Sequence, residues 1–207
     1  MKKGIFIVVD GIDGSGKSEI VKMLRNYLFS NNKGYCVIAT REPTDGKYGR
    51  QIREMLIKEK DPKSSGKKLT ELFIKDRKEH LKEIIEPFLN KPNKRDLNIL
   101  ICDRYYYSTI AFQGAQGSEI NGLISKNMEF RKPDIAFILD VRPSVALERI
   151  EYREKEKFEQ LDFMKKIRKN FLQLPNLLDD NIKIMDASKS LSGVFEDVRK
   201  EVDKLLD

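Results

Sequence analysis

Twelve residues near the start of the chain, VVDGIDGSGKSE at positions 8–19, restrict its fold more than any other stretch. Gly11, Gly16, Lys17 and Ser18 satisfy the pattern G-x-x-x-x-G-K-[ST], with an apolar run before it and an amphipathic run after it. Strand, glycine loop and helix in that order make a phosphate cradle. The backbone N–H groups of the loop, Gly11, Ile12, Asp13, Gly14, Ser15 and Gly16, turn inward on phosphate oxygens, and the helix starting near Lys17 adds its positive end. Lys17 is then placed to reach the outer phosphates, and Ser18 to hold Mg²⁺.

Four more short apolar runs, YCVIAT, LNILICD, DIAFILDV and NIKIMDA, alternate with long amphipathic ones. Five strands separated by helices imply a parallel sheet covered on both faces. The fold class is therefore α/β, a P-loop NTPase with a five-stranded parallel sheet and helices on both faces. Helical patterns run over 19–31, 47–59, 67–89, 104–127 with a break near Gly114 to Gly117, 143–175 with an interruption, and 190–206. Ligands of such sheets bind at the carboxyl ends of the strands.

The 207 residues are read as one domain spanning 1–207, with KDPKSSGK and NKPNKRD as the clear loop punctuation. A net charge of +7 favours anionic partners, but the lysines of 63–68 and 155–169 are interleaved with glutamates or sit beside loop signals. They read as solvated helix faces, so no nucleic-acid partner is expected. Cys36 and Cys102 lie far apart in apolar runs, which suits buried thiols in a reducing compartment. No leader-like segment and no run near the roughly 20 apolar residues of a membrane span is seen, and a cytoplasmic protein without a membrane partner is expected.

A triphosphate cradle is shared by GTPases, motor ATPases and small-molecule kinases. A guanine reader Asn-Lys-x-Asp is missing: NKPN at 90–93 has Asn93 where the aspartate belongs. The strand LNILICD ends in Asp103, a carboxylate placed to bind Mg²⁺ or its water, and Arg104 beside it faces a phosphate. Arg41 ends the second strand in the same way, with Pro43 fixing the turn behind it. Two basic groups at two strand ends make a clamp for a second phosphate.

The helical pattern at 67–89 carries an apolar stripe of Leu69, Leu72, Phe73, Leu81, Ile84, Ile85 and Phe88, interrupted by Asp76, Arg77 and His80. Phe73 and Arg77, spaced i, i+4, share one face. An aromatic plane beside a planar donor suits a nucleobase, and a core phenylalanine beside a salt-bridged arginine suits the same spacing. The lone histidine, His80, reads as a packed or partly exposed structural residue.

These residues together resemble the thymidylate kinases, which move the terminal phosphate of ATP onto dTMP. The resemblance covers nearly the whole chain: GIDGSGKS, TREP with a following IREML, LFIKDRKEH, CDRYYYSTIAFQGAQG, PDIAFILDVRPSVALERI, KFEQLDF and IMDAS. It implies a five-stranded parallel sheet, a homodimer, and ATP with Mg²⁺ as donor. It further implies that Asp13 lies near the sugar 3′-hydroxyl or the metal, that Phe73 stacks on thymine, and that Arg77 reaches its O4. Arg104 is implied to hold the dTMP phosphate with Arg41 nearby, Thr109 and Gln113 to line the base pocket, and Phe112 to crowd a ribose 2′-hydroxyl. The loop has no arginine between Gly11 and Lys17, as in the branch whose mobile lid supplies arginines. A lid at about 149–158 is implied, with Arg153 on phosphate and Arg149 on adenine or phosphate. The chain departs from the family pattern at REPTDG, where REPGG is usual, and at Lys157, where arginine is usual.

A phosphate monoester is already a nucleophile at pH 7, so this reaction requires no general base. Two rivals stand beside it. A deoxynucleoside (thymidine) kinase has a neutral hydroxyl as acceptor and benefits from a carboxylate base, for which Glu42 is the candidate. A nucleotide-binding module without catalysis is the other.

Overall fold

The computed structural model describes residues 4–58, 66–91, 97–150 and 157–206, the side chains of 157–160 excepted. Five strands, β1 (Ile5–Gly11), β2 (Tyr35–Arg41), β3 (Leu97–Asp103), β4 (Ile135–Asp140) and β5 (Ile182–Asp186), form one sheet in the order β2-β3-β1-β4-β5. Every pairing is parallel. Central β1 and β3 are buried almost throughout, which is why both read as unbroken apolar runs.

The helices are α1 (Lys17–Asn31), α2 (Lys47–Lys58), α3 (Gly66–His80), α4 (Glu86–Asn90), α5 (Tyr106–Ala115), α6 (Ile120–Asn127), α7 (Pro143–Arg149), α8 (Lys157–Leu177) and α9 (Leu191–Leu206). α1 packs on α9 and α5 packs on α8, and these pairs make the two layers over the sheet. From β1 the sheet grows toward β3 and β2 on one side and toward β4 and β5 on the other. The glycine loop leaves β1 at this switch point, where a crevice opens at the strand ends.

The long helical pattern at 67–89 differs from a plain helix. α3 passes into a π turn, Leu81–Ile85, and then into α4. The wide turn shifts the helical phase, so Ile84, expected on the core stripe, is 40% exposed while Ile85 is fully buried. The interruption of the stripe is no solvated patch either: Asp76, Arg77 and His80 all lie inside, at 1%, 0% and 2% exposure. No described helix is long and apolar enough to cross a membrane.

Candidate active site

β1 ends in Asp10 and Gly11, and the chain then folds back on itself before α1. Gly11, Gly14 and Gly16 all have positive φ (143°, 76° and 92°). A Cβ on Gly14 would stand 2.3 Å from the carbonyl oxygen of Ala146, so the loop sits directly on α7. Inside the loop Lys17 Nζ donates to the Ile12 carbonyl at 2.7 Å. Burial, and then the neighbouring Arg104, push the Lys17 ammonium down to about 8. The buried hydroxyl of Ser15 has no protein partner among the described residues. The cradle thus holds a cation and an unmet hydroxyl where an anion is to sit.

Asp10, beneath the loop, is a supporting residue of the site that the motif pattern does not single out. It is fully buried and accepts from the N–H groups of Gly11, Tyr105 and Ser108 and from the Ser108 hydroxyl. Burial raises its pKa despite Arg104 nearby. Its carboxylate ties the loop to the start of α5. The visible signal was an aspartate closing an apolar strand.

Arg104 follows β3 with φ of +71°, a left-handed conformation that costs a non-glycine residue roughly 1–3 kcal/mol. The backbone there bonds Val9 O through the Arg104 N–H, and the side chain turns back over the loop. Its guanidinium donates to the Asp13 carboxylate and to Ser108 Oγ (2.8 Å), and lies 5.2 Å from the Phe112 ring. Burial alone would raise the Asp13 pKa, but Arg104 and Lys17 outweigh it and hold the carboxyl below its ordinary value.

Register brings the other strand ends to the same edge. Asp103 lies opposite Val9 on β1 and opposite Arg41 on β2. Ser18 Oγ donates to Asp103 Oδ2 at 2.6 Å. Hydroxyl and carboxylate are hard oxygen donors that fit Mg²⁺, an ion that commonly takes one or two carboxylates and fills the rest with waters and phosphate. Among the described residues no cluster of three or more histidines, cysteines and acids could hold a metal without such help. Arg41 is exposed. Asp13, Lys17, Ser18, Arg41, Asp103 and Arg104 line one cleft of about 270 Å³.

Deeper in, the backbone N–H of Glu42 bonds to Asp103 O, and its side chain turns away from the cleft into the protein. Glu42 Oε2 takes Nε (2.9 Å) and Nη2 (2.7 Å) of Arg77, and Oε1 lies 3.1 Å from His80 Nδ1. Arg77 also donates to Asn127 Oδ1 at 2.7 Å and to Thr109 Oγ1 at 3.1 Å, and its guanidinium lies over the rings of Tyr105 and Phe130. Of the two meanings open for its spacing, a salt bridge is present. Among the described residues one Nη1 hydrogen is left over for a further acceptor. Asn127 gave no sequence signal, since an amide at a helix end looks like ordinary capping.

The remaining expected residues divide. Gln113 is buried beside Thr109 on α5, its Oε1 without a partner among the described residues, so the pair does face inward. Phe112 stacks with Arg104 and meets Phe171 edge-on. Phe73 is half-buried against Ile52, Leu69 and Leu72, the small cluster joining α2 to α3. Asp76 anchors the departing REPTDG loop: its two oxygens accept from the N–H (2.8 Å) and Oγ1 (2.6 Å) of Thr44. Arg149, at the end of α7, donates to Ala187 O at 3.1 Å, bridging to the turn after β5. Arg153 lies outside the described residues, as does most of the expected lid.

A cradle for one phosphate chain faces a pair of strand-end arginines across a single cleft. A family model described as thymidylate kinase matches residues 9–198. A probable thymidylate kinase of Archaeoglobus fulgidus is 38% identical over 205 residues, covering 98% of this chain and 97% of the relative. One of Pyrococcus horikoshii is 36% identical over 201 residues, covering 95% and 94%. A thymidylate kinase of Caldicellulosiruptor saccharolyticus is 37% identical over 213 residues, covering 99% and 98%. With the family model spanning residues 9–198 and relatives 36–38% identical along nearly its whole length, the chain belongs to the thymidylate kinase family.

Proposed function

We propose that this protein transfers the γ-phosphate of ATP to dTMP, giving dTDP and ADP. The observation that carries the reading is the cleft itself, in which the buried Lys17 faces Arg41 and Arg104. Those arginines are surplus to an enzyme whose acceptor is a neutral hydroxyl. The thymidine kinase alternative needs a carboxylate base, and Glu42 is a poor one: its side chain is 2% exposed and both oxygens are engaged. Asp13 is no better, because its lowered pKa makes it a weak proton acceptor.

With no base to provide, catalysis becomes the placement of two mutually repelling anions. Lys17 and the loop N–H groups hold the donor phosphates. Arg104 and Arg41 hold the acceptor phosphate, whose oxygen forms the new bond to the γ-phosphorus as the bond to the β-phosphate breaks. Asp13, bonded to Arg104, keeps that guanidinium aimed between the two. Ser18 and Asp103 would hold Mg²⁺, which supplies further neutralisation of the phosphates when bound. Arg77, Thr109, Gln113 and Phe73 take the base, Arg77 through its free Nη1 hydrogen, and Phe112 closes against the sugar. Arg149 takes the adenine or a phosphate of ATP, and Arg153, from a lid at about 149–158, reaches a phosphate.

One domain, a homodimer and a cytoplasmic location complete the proposal. The exposed Leu56 and Ile57 of α2 give a second copy an apolar face, which sedimentation equilibrium checks, and the free cysteines suit a reducing compartment. The site itself is tested by Arg104→Ala. Loss of charge-assisted bonds to the acceptor should raise KM for dTMP about thirtyfold and leave KM for ATP within about threefold. Equal loss for both substrates would remove Arg104 from the acceptor side.

A further inference from the structure

We propose that His80 is a positioning residue that orients Arg77 through Glu42, and so sets how tightly the acceptor base is held. This rests on the reading of Arg77 as the base contact. His80 lies on the last turn of α3, one turn from Arg77, and the Glu42 carboxylate, although its residue borders the phosphate cleft, is taken up by these two side chains. All three side chains are buried: His80 0%, Glu42 2% and Arg77 1% exposed. A histidine there could be mere filler, but its contacts are specific. Nδ1 meets Glu42 Oε1 at 3.1 Å, and Nε2 is buried with no partner among the described residues.

Those two facts fix the tautomer by elimination. A carboxylate oxygen accepts, so Nδ1 must carry the proton, and Nε2 is left as a bare acceptor. The reverse tautomer would set a lone pair against Glu42 Oε1 and strand a buried N–H donor, the costlier orphan. His80 is therefore the donor that occupies Oε1.

With Oε1 taken, only Oε2 is presented to the guanidinium. Arg77 accordingly binds edge-on, with Nε and Nη2 on that one oxygen, Nη2 also on Thr109, and Nη1 turned toward Asn127. Without the donor, Oε1 is an unmet buried carboxylate oxygen, and the remedy within reach is rotation onto the guanidinium to make the usual two-pronged pair. That rotation draws Nη1 or Nη2 away from Asn127 or Thr109 and turns the free Nη1 hydrogen off its line. The Glu42 backbone bonds Asp103 O, but no side chain of the donor cradle takes part in the contacts among His80, Glu42, Arg77, Thr109 and Asn127, so the effect falls on the acceptor.

The test uses two variants that differ in where they carry an N–H. The Asn amide nitrogen is attached at the Cγ position, as Nδ1 is, whereas that of Gln lies one bond further out and mimics Nε2. In steady-state assays of the full chain, His80→Gln should raise KM for dTMP about tenfold, the scale of one lost hydrogen bond to a charged group, with KM for ATP within about twofold. His80→Asn should stay within about threefold of the parent on both. The proposal is overturned if His80→Gln leaves the dTMP value unchanged, if His80→Asn is as impaired as His80→Gln, or if both KM values rise in step. Arg77→Met in the same assay separates the layers. If it is impaired for dTMP beside a normal His80→Gln, only the His80 proposal fails; if it leaves dTMP untouched, the base contact fails and the proposal with it.

Discussion

Lys17 is the residue on which the donor side turns, and its burial makes a measurable demand. The free protein holds its ammonium near pKa 8 because burial, followed by Arg104, penalises the charge. A bound phosphate chain reverses that penalty and raises the pKa. Above pH 8 the free protein therefore carries fewer protons than the complex, and affinity must fall as pH rises through that value. Calorimetric titration with ATP should give roughly tenfold weaker binding at pH 9 than at pH 7.5. A flat profile would mean that Lys17 is not the group that meets the phosphates. Arg104 illustrates the companion lesson about legibility. Its place at a strand end was readable, but its left-handed backbone and its bond to Asp13 were not, because nothing in one residue's identity announces a conformation that costs energy.

At the scale of elements, the acceptor side depends on α2 and α3 gripping the loop at 42–46. Asp76 on α3 holds Thr44 by two bonds, and Gly49 on α2 lies against the same backbone so closely that a Cβ would stand 1.8 Å from Thr44 O. Gly49→Ala must push loop and helix apart. Overpacking of this kind costs roughly 1–3 kcal/mol, which at 2–4 °C per kcal/mol for a chain of this size lowers Tm by about 5 °C. KM for dTMP should rise with it while KM for ATP holds; an unchanged Tm would show that the contact is relieved without consequence. α3 also shows why part of the site stayed hidden in the sequence. Its polar interruption at Asp76, Arg77 and His80 was plain, yet periodicity cannot tell a solvated gap from a buried polar network whose partners, Glu42, Thr109 and Asn127, come from three distant segments. The π turn after His80 was likewise invisible, since its sequence continues a good helical pattern.

Over the whole molecule, the sheet was the most legible part. The central strands β1, β3 and β4 were marked by unbroken apolar runs, because parallel strands buried on both faces have no polar side to show, while the edge strands β2 and β5 are only partly buried. Crossover rules narrow the strand orders without choosing one, and no single residue announces it, yet it is this order that brings the ends of β1, β2 and β3 together. That convergence puts Lys17, Arg41, Asp103 and Arg104 on one cleft, while Glu42 borders it with its carboxylate buried against Arg77. The central claim is accordingly that the acceptor is the phosphate of a thymidine nucleotide and not a hydroxyl. The most direct measurement is ADP release from ATP and Mg²⁺ in parallel with dTMP, dUMP, dCMP, thymidine and no acceptor. Release driven by dTMP, at most weakly by dUMP and not by thymidine, is the predicted result. Release with thymidine but not with dTMP would contradict the account and return Glu42 to the role of a base.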